Sequence, residues 1–118
     1  LSVSRGLGDV YKRQATNSTE ALTNTSTAVS VSTAISTVDS SGGAVTVTLA
    51  AGVTGQLKTI ICTTAGNNIT VTPAATVGSG TTVVLDAAGE SVQLLYTGTA
   101  WAAVATSSFA TNIATVIQ

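Results

Sequence analysis

Asp86 and Glu90 flank Ala87-Ala88-Gly89 and are the closest carboxylate pair in the body of this chain. Paired carboxylates can divide general-acid and general-base work in hydrolysis, but only with a cleft and rigid support around them. A short turn offers neither, so the pair reads as solvated. A hard cation would need about six or more oxygen ligands, and no spaced Asp/Asn/Gly signature accompanies these two. Histidine is absent from the sequence, which removes the commonest base, the commonest zinc ligand and every Ser-His-Asp arrangement. The single cysteine, Cys62, lies in the apolar run LKTIIC. It can close no intrachain disulfide and reads as a small buried hydrophobe. Gly52, Gly55 and Gly78-Ser79-Gly80 match no phosphate-loop or dinucleotide spacing. The expectation is a protein that is not an enzyme and binds no metal or cofactor.

Three other side chains carry weight. Lys58 is the one cation between residues 15 and 118. Two placements are open for it: facing solvent, where it would discourage edge-to-edge strand pairing, or forming an ion pair with Asp86 or Glu90 across a subunit contact. Tyr96 and Trp101 stand on either side of Thr97-Gly98-Thr99. A tight turn there would set them opposite each other on paired strands, as a cross-strand aromatic pair. They serve either as a plug for the core, the preferred reading, or as a platform for a sugar. Asn17, Asn24 and Asn68 fit the glycosylation pattern, which chance explains in a chain so rich in Ser and Thr.

The elements that position these residues follow from alternation. Polar residues 15–27 show no clear period and read as an irregular lead-in. From Ala28 the period becomes two, in AVSVSTAISTV, and AVTVTLAAG (44–52) then sets Val45, Val47 and Leu49 on one face and Thr46 and Thr48 on the other. Further strand candidates are 56–64, 68–75, 81–86, 91–98 and 100–106. Between them lie the breakers Asp39–Gly43, Gly52–Gly55, 65–68, Gly78–Gly80 and Thr97-Gly98-Thr99. Pro73 lacks a ladder donor and must end its strand or lie at an edge. Gly89 reads as the pivot of a hairpin joining 81–86 to 91–98. Short segments beginning at Val45, Ile69 and Val83 echo one another at unequal spacing, which reads as recurring hairpin chemistry because a regular solenoid keeps a fixed period. The predicted fold class is all-β, with short antiparallel strands forming a sandwich, a barrel or a trimeric β-prism-like unit over 28–105. Residues 106–118 form a tail read either as truncated or as an interchain element.

Composition adds a constraint on assembly. Hydrophobic residues make up 44% of the chain but aromatics only 3% and charged residues 8%, against about 25% charged in an ordinary soluble domain. Ala and Val bury little area each, and area supplies the hydrophobic free energy. A core this thin favours further burial against identical copies. No apolar run is long enough to span a bilayer as a helix, and no signal-peptide pattern is present. The expectation is synthesis in a host cytoplasm with no membrane partner.

Residues 1–14 break this composition. Arg5, Lys12, Arg13 and Asp9 give them a net +2, whereas 15–118 carry −3, together the −1 of the whole chain. Three scattered cations beside an acidic domain make few phosphate contacts, so no nucleic-acid partner is expected. The segment LSVSRGLGDVYKRQ resembles, nearly letter for letter, the translated remnant of a sequencing adapter. That resemblance implies a non-native segment and a true N-terminus that is missing.

Residues 44–105 also resemble a known group. Gly55-Gln56-Leu57-Lys58 opening a strand, Thr70-Val71-Thr72-Pro73, Asp86 to Ser91, and Thr99-Ala100-Trp101 are similar to a small β-rich domain of tailed-bacteriophage and marine viral structural proteins. The resemblance implies a virion component (fibre, capsid decoration or tail-associated), often a symmetric homotrimer, with no catalytic residue. On this reading the partners are copies of the chain and other virion proteins. Two alternatives stay open: a carbohydrate or host-surface binding module using Tyr96 and Trp101, and a bacterial adhesin or surface-layer fragment.

Overall fold

Alternating side chains oblige each strand to turn one face inward, and nine strands do so among the described residues. The computed structural model describes residues 18–107. Its strands are Thr19–Leu22 (β1), Ala28–Val29 (β2), Ile35–Asp39 (β3), Val45–Leu49 (β4), Leu57–Thr64 (β5), Ile69–Pro73 (β6), Val83–Leu85 (β7), Ser91–Tyr96 (β8) and Trp101–Ser107 (β9). They form a five-stranded sheet, β1-β3-β5-β8-β9, and a four-stranded sheet, β2-β4-β6-β7. The domain is all-β, as the alternation implies. The tail 106–118 lies almost wholly outside the described residues, as does the segment 1–14.

Strand direction departs from the expectation. From β1 to β6 the chain passes alternately between the sheets, and neighbours in each sheet are parallel: β1 with β3, β3 with β5, β2 with β4, β4 with β6. Only after β6 do antiparallel pairs appear, β6 with β7, β5 with β8 and β8 with β9. A period of two states that a strand has two faces but not which way its neighbour runs. Parallel neighbours need a crossover, and each crossover here is a strand of the opposite sheet. The echo between Val45 and Ile69 was therefore not hairpin chemistry. Val45 pairs directly with Ile69 in the β4–β6 ladder, so the echo marks successive turns of a winding whose turns differ in length.

Three boundaries also shift. The lead-in contains β1, whose inward positions are Glu20 and Leu22; a charged residue at one of them hid the alternation. The strand expected from Ala28 is split, because side chains take over its backbone donors across 30–34. The Ser30 amide donates to Glu20 Oε2 (2.7 Å) and the Ser32 amide to Ser30 Oγ (3.1 Å). The hairpin about Gly89 is instead a crossing between sheets, since β7 pairs with β6 and β8 with β5. Gly89 does take a positive φ of 91°. Its amide donates to the Cys62 carbonyl (2.8 Å), and the Cys62 amide donates to Glu90 O (2.8 Å), fastening the crossing to β5.

Both sheets contribute to one core. Val38, Ile60, Cys62, Val92 and Leu94 face Val45, Val47, Leu49, Ile69 and Val71, all buried. Its largest member is Trp101, 1% exposed. The Trp101 indole N–H donates to the Ala50 carbonyl (2.9 Å). Its backbone donates to Ala75 O and accepts from the Val77 amide, each at 2.9 Å, in a bridge to Thr76 outside the named strands. Pro73 ends β6 as its missing donor requires, and Ala74 resumes the pairing by donating to Leu49 O (2.8 Å).

Gly52 makes room for the indole. A Cβ there would stand 2.8 Å from Trp101 Cζ2 and 2.5 Å from Gln56 Oε1. Gly52→Ala is expected to cost about 1–3 kcal/mol by overpacking, read as a lowered urea midpoint with an unchanged m-value.

Candidate functional site

The densest cluster of ionisable and hydroxyl groups among the described residues surrounds Lys58. On β5, Lys58 shares its face with Ile60 and Cys62, so alternation carries its stem into the core. The side chain is fully buried, which corrects the solvent-facing placement. Its Nζ donates to Thr33 O (2.8 Å) and Thr33 Oγ1 (2.6 Å). Glu20 Oε2 stands 3.7 Å away.

Glu20 reaches this point because β1 runs parallel to β3 with Glu20 opposite Ser36. Its Oε2 accepts from the Ser30 amide (2.7 Å), Ser36 Oγ (2.9 Å) and Thr33 Oγ1 (3.1 Å). The Thr33 hydroxyl thus relays from ammonium to carboxylate. Burial pushes the Glu20 carboxyl up, but these bonds and the Lys58 charge outweigh it and hold the group below its ordinary value of 4.5. Burial likewise lowers the Lys58 ammonium from its ordinary 10.5, partly offset by Glu20. The ion pair therefore lies within one chain. Its partner is Glu20, in a segment whose polar, aperiodic sequence predicts an irregular lead-in. A lone Glu at an inward position of a short β1 offered no readable signal without the β1–β3 register.

Asp86 and Glu90 do not approach Lys58's cluster. Glu90 Oε1 accepts from the Asp86 amide (2.7 Å) and the Ala87 amide (3.1 Å), closing the turn they were read to flank. Asp39 is similarly held by Ser41, whose amide (2.9 Å) and hydroxyl (2.6 Å) lower its carboxyl. Cys62 is buried and free, and burial, with Glu90, Asp39 and Asp86 nearby, raises its thiol. A raised thiol is a poor nucleophile and a poor metal ligand. Among the described residues no group of three or more His, Cys, Asp or Glu could hold a metal ion.

Tyr96 and Trp101 are paired in the β8–β9 register, edge to face with centroids 5.1 Å apart and planes at 67°. Tyr96 is 8% exposed. Both rings are spent on the core, so neither offers a face to a sugar. An open cavity of about 410 Å³ is lined by Val31, Gln56 and residues 51–55. Of its two polar side chains, Thr54 and Gln56, the latter is already committed: Gln56 Oε1 accepts from the Val53 amide (2.9 Å) and Nε2 donates to Val31 O (2.6 Å). Compared with protein-family models, curated proteins and solved structures, the chain matches none significantly.

These groups can hold crossovers in place, and the carboxylates of Glu20, Asp39 and Glu90 are already occupied with backbone amides or neighbouring hydroxyls. Glu20→Gln is expected to cost about 3 kcal/mol, because it leaves Lys58 buried without its counter-charge. Glu20→Gln combined with Lys58→Met should recover part of that loss. Because the folded carboxyl sits below its unfolded value, Glu20 stabilises fully above about pH 4.5 and progressively less as the pH falls through the folded value. Urea melts of wild type and Glu20→Gln across pH 2–7, roughly the range a depressed carboxylate titrates in, should converge in acid and diverge near neutrality.

Proposed function

We propose that the chain is a non-enzymatic structural protein of a virion, a fibre, decoration or tail-associated component that assembles with copies of itself. One observation carries this reading. The flank formed by β7 and β9 presents edge strands with no charged residue anywhere in 73–85 or 91–107. Monomeric β proteins protect such edges with short edge strands, bulges, Lys, inward-pointing charges or covering elements. The β7 edge is short and the β9 edge is bulged, yet neither carries a charge.

Two further points support it. The likeness of 44–105 to viral β-rich structural domains rests on strand and turn residues, and those residues serve the fold: Gln56 and Lys58 anchor the 30–34 crossing, Glu90 closes its turn, and Trp101 joins the sheets. A two-sheet unit with a sandwich-like core suits a particle component, whose durability depends on slow unfolding. A symmetric trimer is the assembly we favour. The carbohydrate-module alternative draws no support from Tyr96 and Trp101, which are buried.

Light scattering on the full chain, with melting followed over a hundredfold range of concentration, tests the reading. Self-assembly predicts a mass of several chains and a Tm that rises with concentration. A single-chain mass with a constant Tm would overturn it.

A further inference from the structure

We infer that the first turn of the winding, from β1 through the crossing at 30–34, is an acid-released latch: a proton on Glu20 frees it as a unit while β3 to β9 stay folded. Its placement makes this turn separable. β1 is the outermost strand of the five-stranded sheet and β2 the outermost of the four-stranded sheet. Among the described residues they pair only with β3, over four residues, and with β4, over two. Leu22 and Val29 are the turn's two buried side chains, with Val31 packed beside the core. An element with so few buried apolar contacts opens at a lower free energy than the strands beneath it.

The polar bonds of this turn converge on one atom. Glu20 Oε2 accepts from the Ser30 amide and the Thr33 hydroxyl within the turn, and from Ser36 Oγ on β3. Lys58 reaches from β5 to the Thr33 carbonyl and hydroxyl, with its Nζ 3.7 Å from the same oxygen. One carboxylate thus closes the turn on itself, ties it to β3 and neutralises the buried cation of β5. A single proton weakens all three. A neutral carboxyl accepts hydrogen bonds less strongly than a carboxylate, and Lys58 is left fully buried without its counter-charge. The crossing at 30–34 is bonded to that ammonium through Thr33, so its departure is what lets water reach the charge.

Among the described residues no other charge stands in for Glu20. β2 and the crossing carry none. On β3, Asp39 is bound to Ser41. On β5, Cys62 shares the inward face of Lys58 as a thiol whose raised value keeps it uncharged in acid. On β8, Tyr96 packs against Trp101. Asp86 and Glu90 lie at the turn between β7 and β8, where Glu90 is bound to backbone amides. Release uncovers the edges of β3 and β4 together, at the end of the two sheets opposite β9 and β7. The strands that remain keep both core faces and the Trp101 bonds, so they stay one two-sheet unit.

Hydrogen exchange read by mass spectrometry tests this on the full chain, between about pH 7 and pH 3, a range that spans carboxylate titration. Rates are corrected for intrinsic exchange at each pH. In wild type, protection of 19–34 should fall below about pH 4.5, by up to about tenfold per pH unit because one proton is taken up, while β4, β6 and β8 keep theirs. Glu20→Gln should leave the first turn poorly protected at every pH. Glu20→Gln with Lys58→Met should restore its protection and make it independent of pH, and Asp39→Asn should titrate as wild type does. The wild-type series and the double variant decide the matter even where Glu20→Gln alone does not fold. A first turn as protected in acid as at neutrality, loss of protection in β4, β6 and β8 together with it, or a pH dependence that survives in the double variant would overturn the latch.

Discussion

Trp101 is the point at which the two sheets become one domain. Its indole occupies the core, its ring N–H holds the strand-end carbonyl of Ala50, and its backbone binds the segment that leaves β6. One residue at the start of β9 thereby ties the five-stranded sheet to two places in the four-stranded one. In a chain with a single tryptophan and so few other large side chains, no second residue could fill that volume. The glycine at position 52 and the turn at 97–100, where Thr97 donates to Ala100 O (2.8 Å), follow from the need to seat the indole.

The rest of the core is thin, and its margins are closed by buried polar groups rather than by bulk. At one margin Lys58, Glu20, Thr33 and Gln56 hold the crossing at 30–34. At another, Ser40 donates to Asn67 O (2.7 Å) and Asn67 Nδ2 donates back to Ser40 O (2.9 Å), joining the crossings after β3 and β5. Hydrogen bonds of this kind add about 1 kcal/mol each when made and cost more when broken. Their value here is positional: they fix where the chain passes from one sheet to the other. A winding of parallel strands with unequal turns needs such fixing, because no constant repeat sets the register for it.

The flank of β7 and β9 has neither device. Among the described residues its side chains carry no charge, its outer strand edges have only the bridge between Thr76 and Trp101, and its cleft mixes apolar residues with Thr76 and Thr82. Polar closure elsewhere and its lack here make the surface asymmetric, and the proposed self-assembly rests on that asymmetry. The reading of a structural component follows from this contrast more than from any single residue.

Much of this was legible in the chain itself. Alternation in AVTVTLAAG and NITVTPAA identified β4 and β6 and their inward faces, because a pleated strand must sort its side chains with a period of two. Thr97-Gly98-Thr99 announced a tight turn, and with it the pairing of Tyr96 and Trp101. Proline at 73 announced a strand end. Strand direction, the division of 28–39 between two sheets, and the partner of Lys58 were decided only in three dimensions. Periodicity carries no sign for direction, and a crossover made of another strand looks in sequence like the next hairpin. Glu20 and Lys58 meet only because β1, β3 and β5 stand side by side in parallel register, and contacts between distant segments depend on that register rather than on the residues beside each of them.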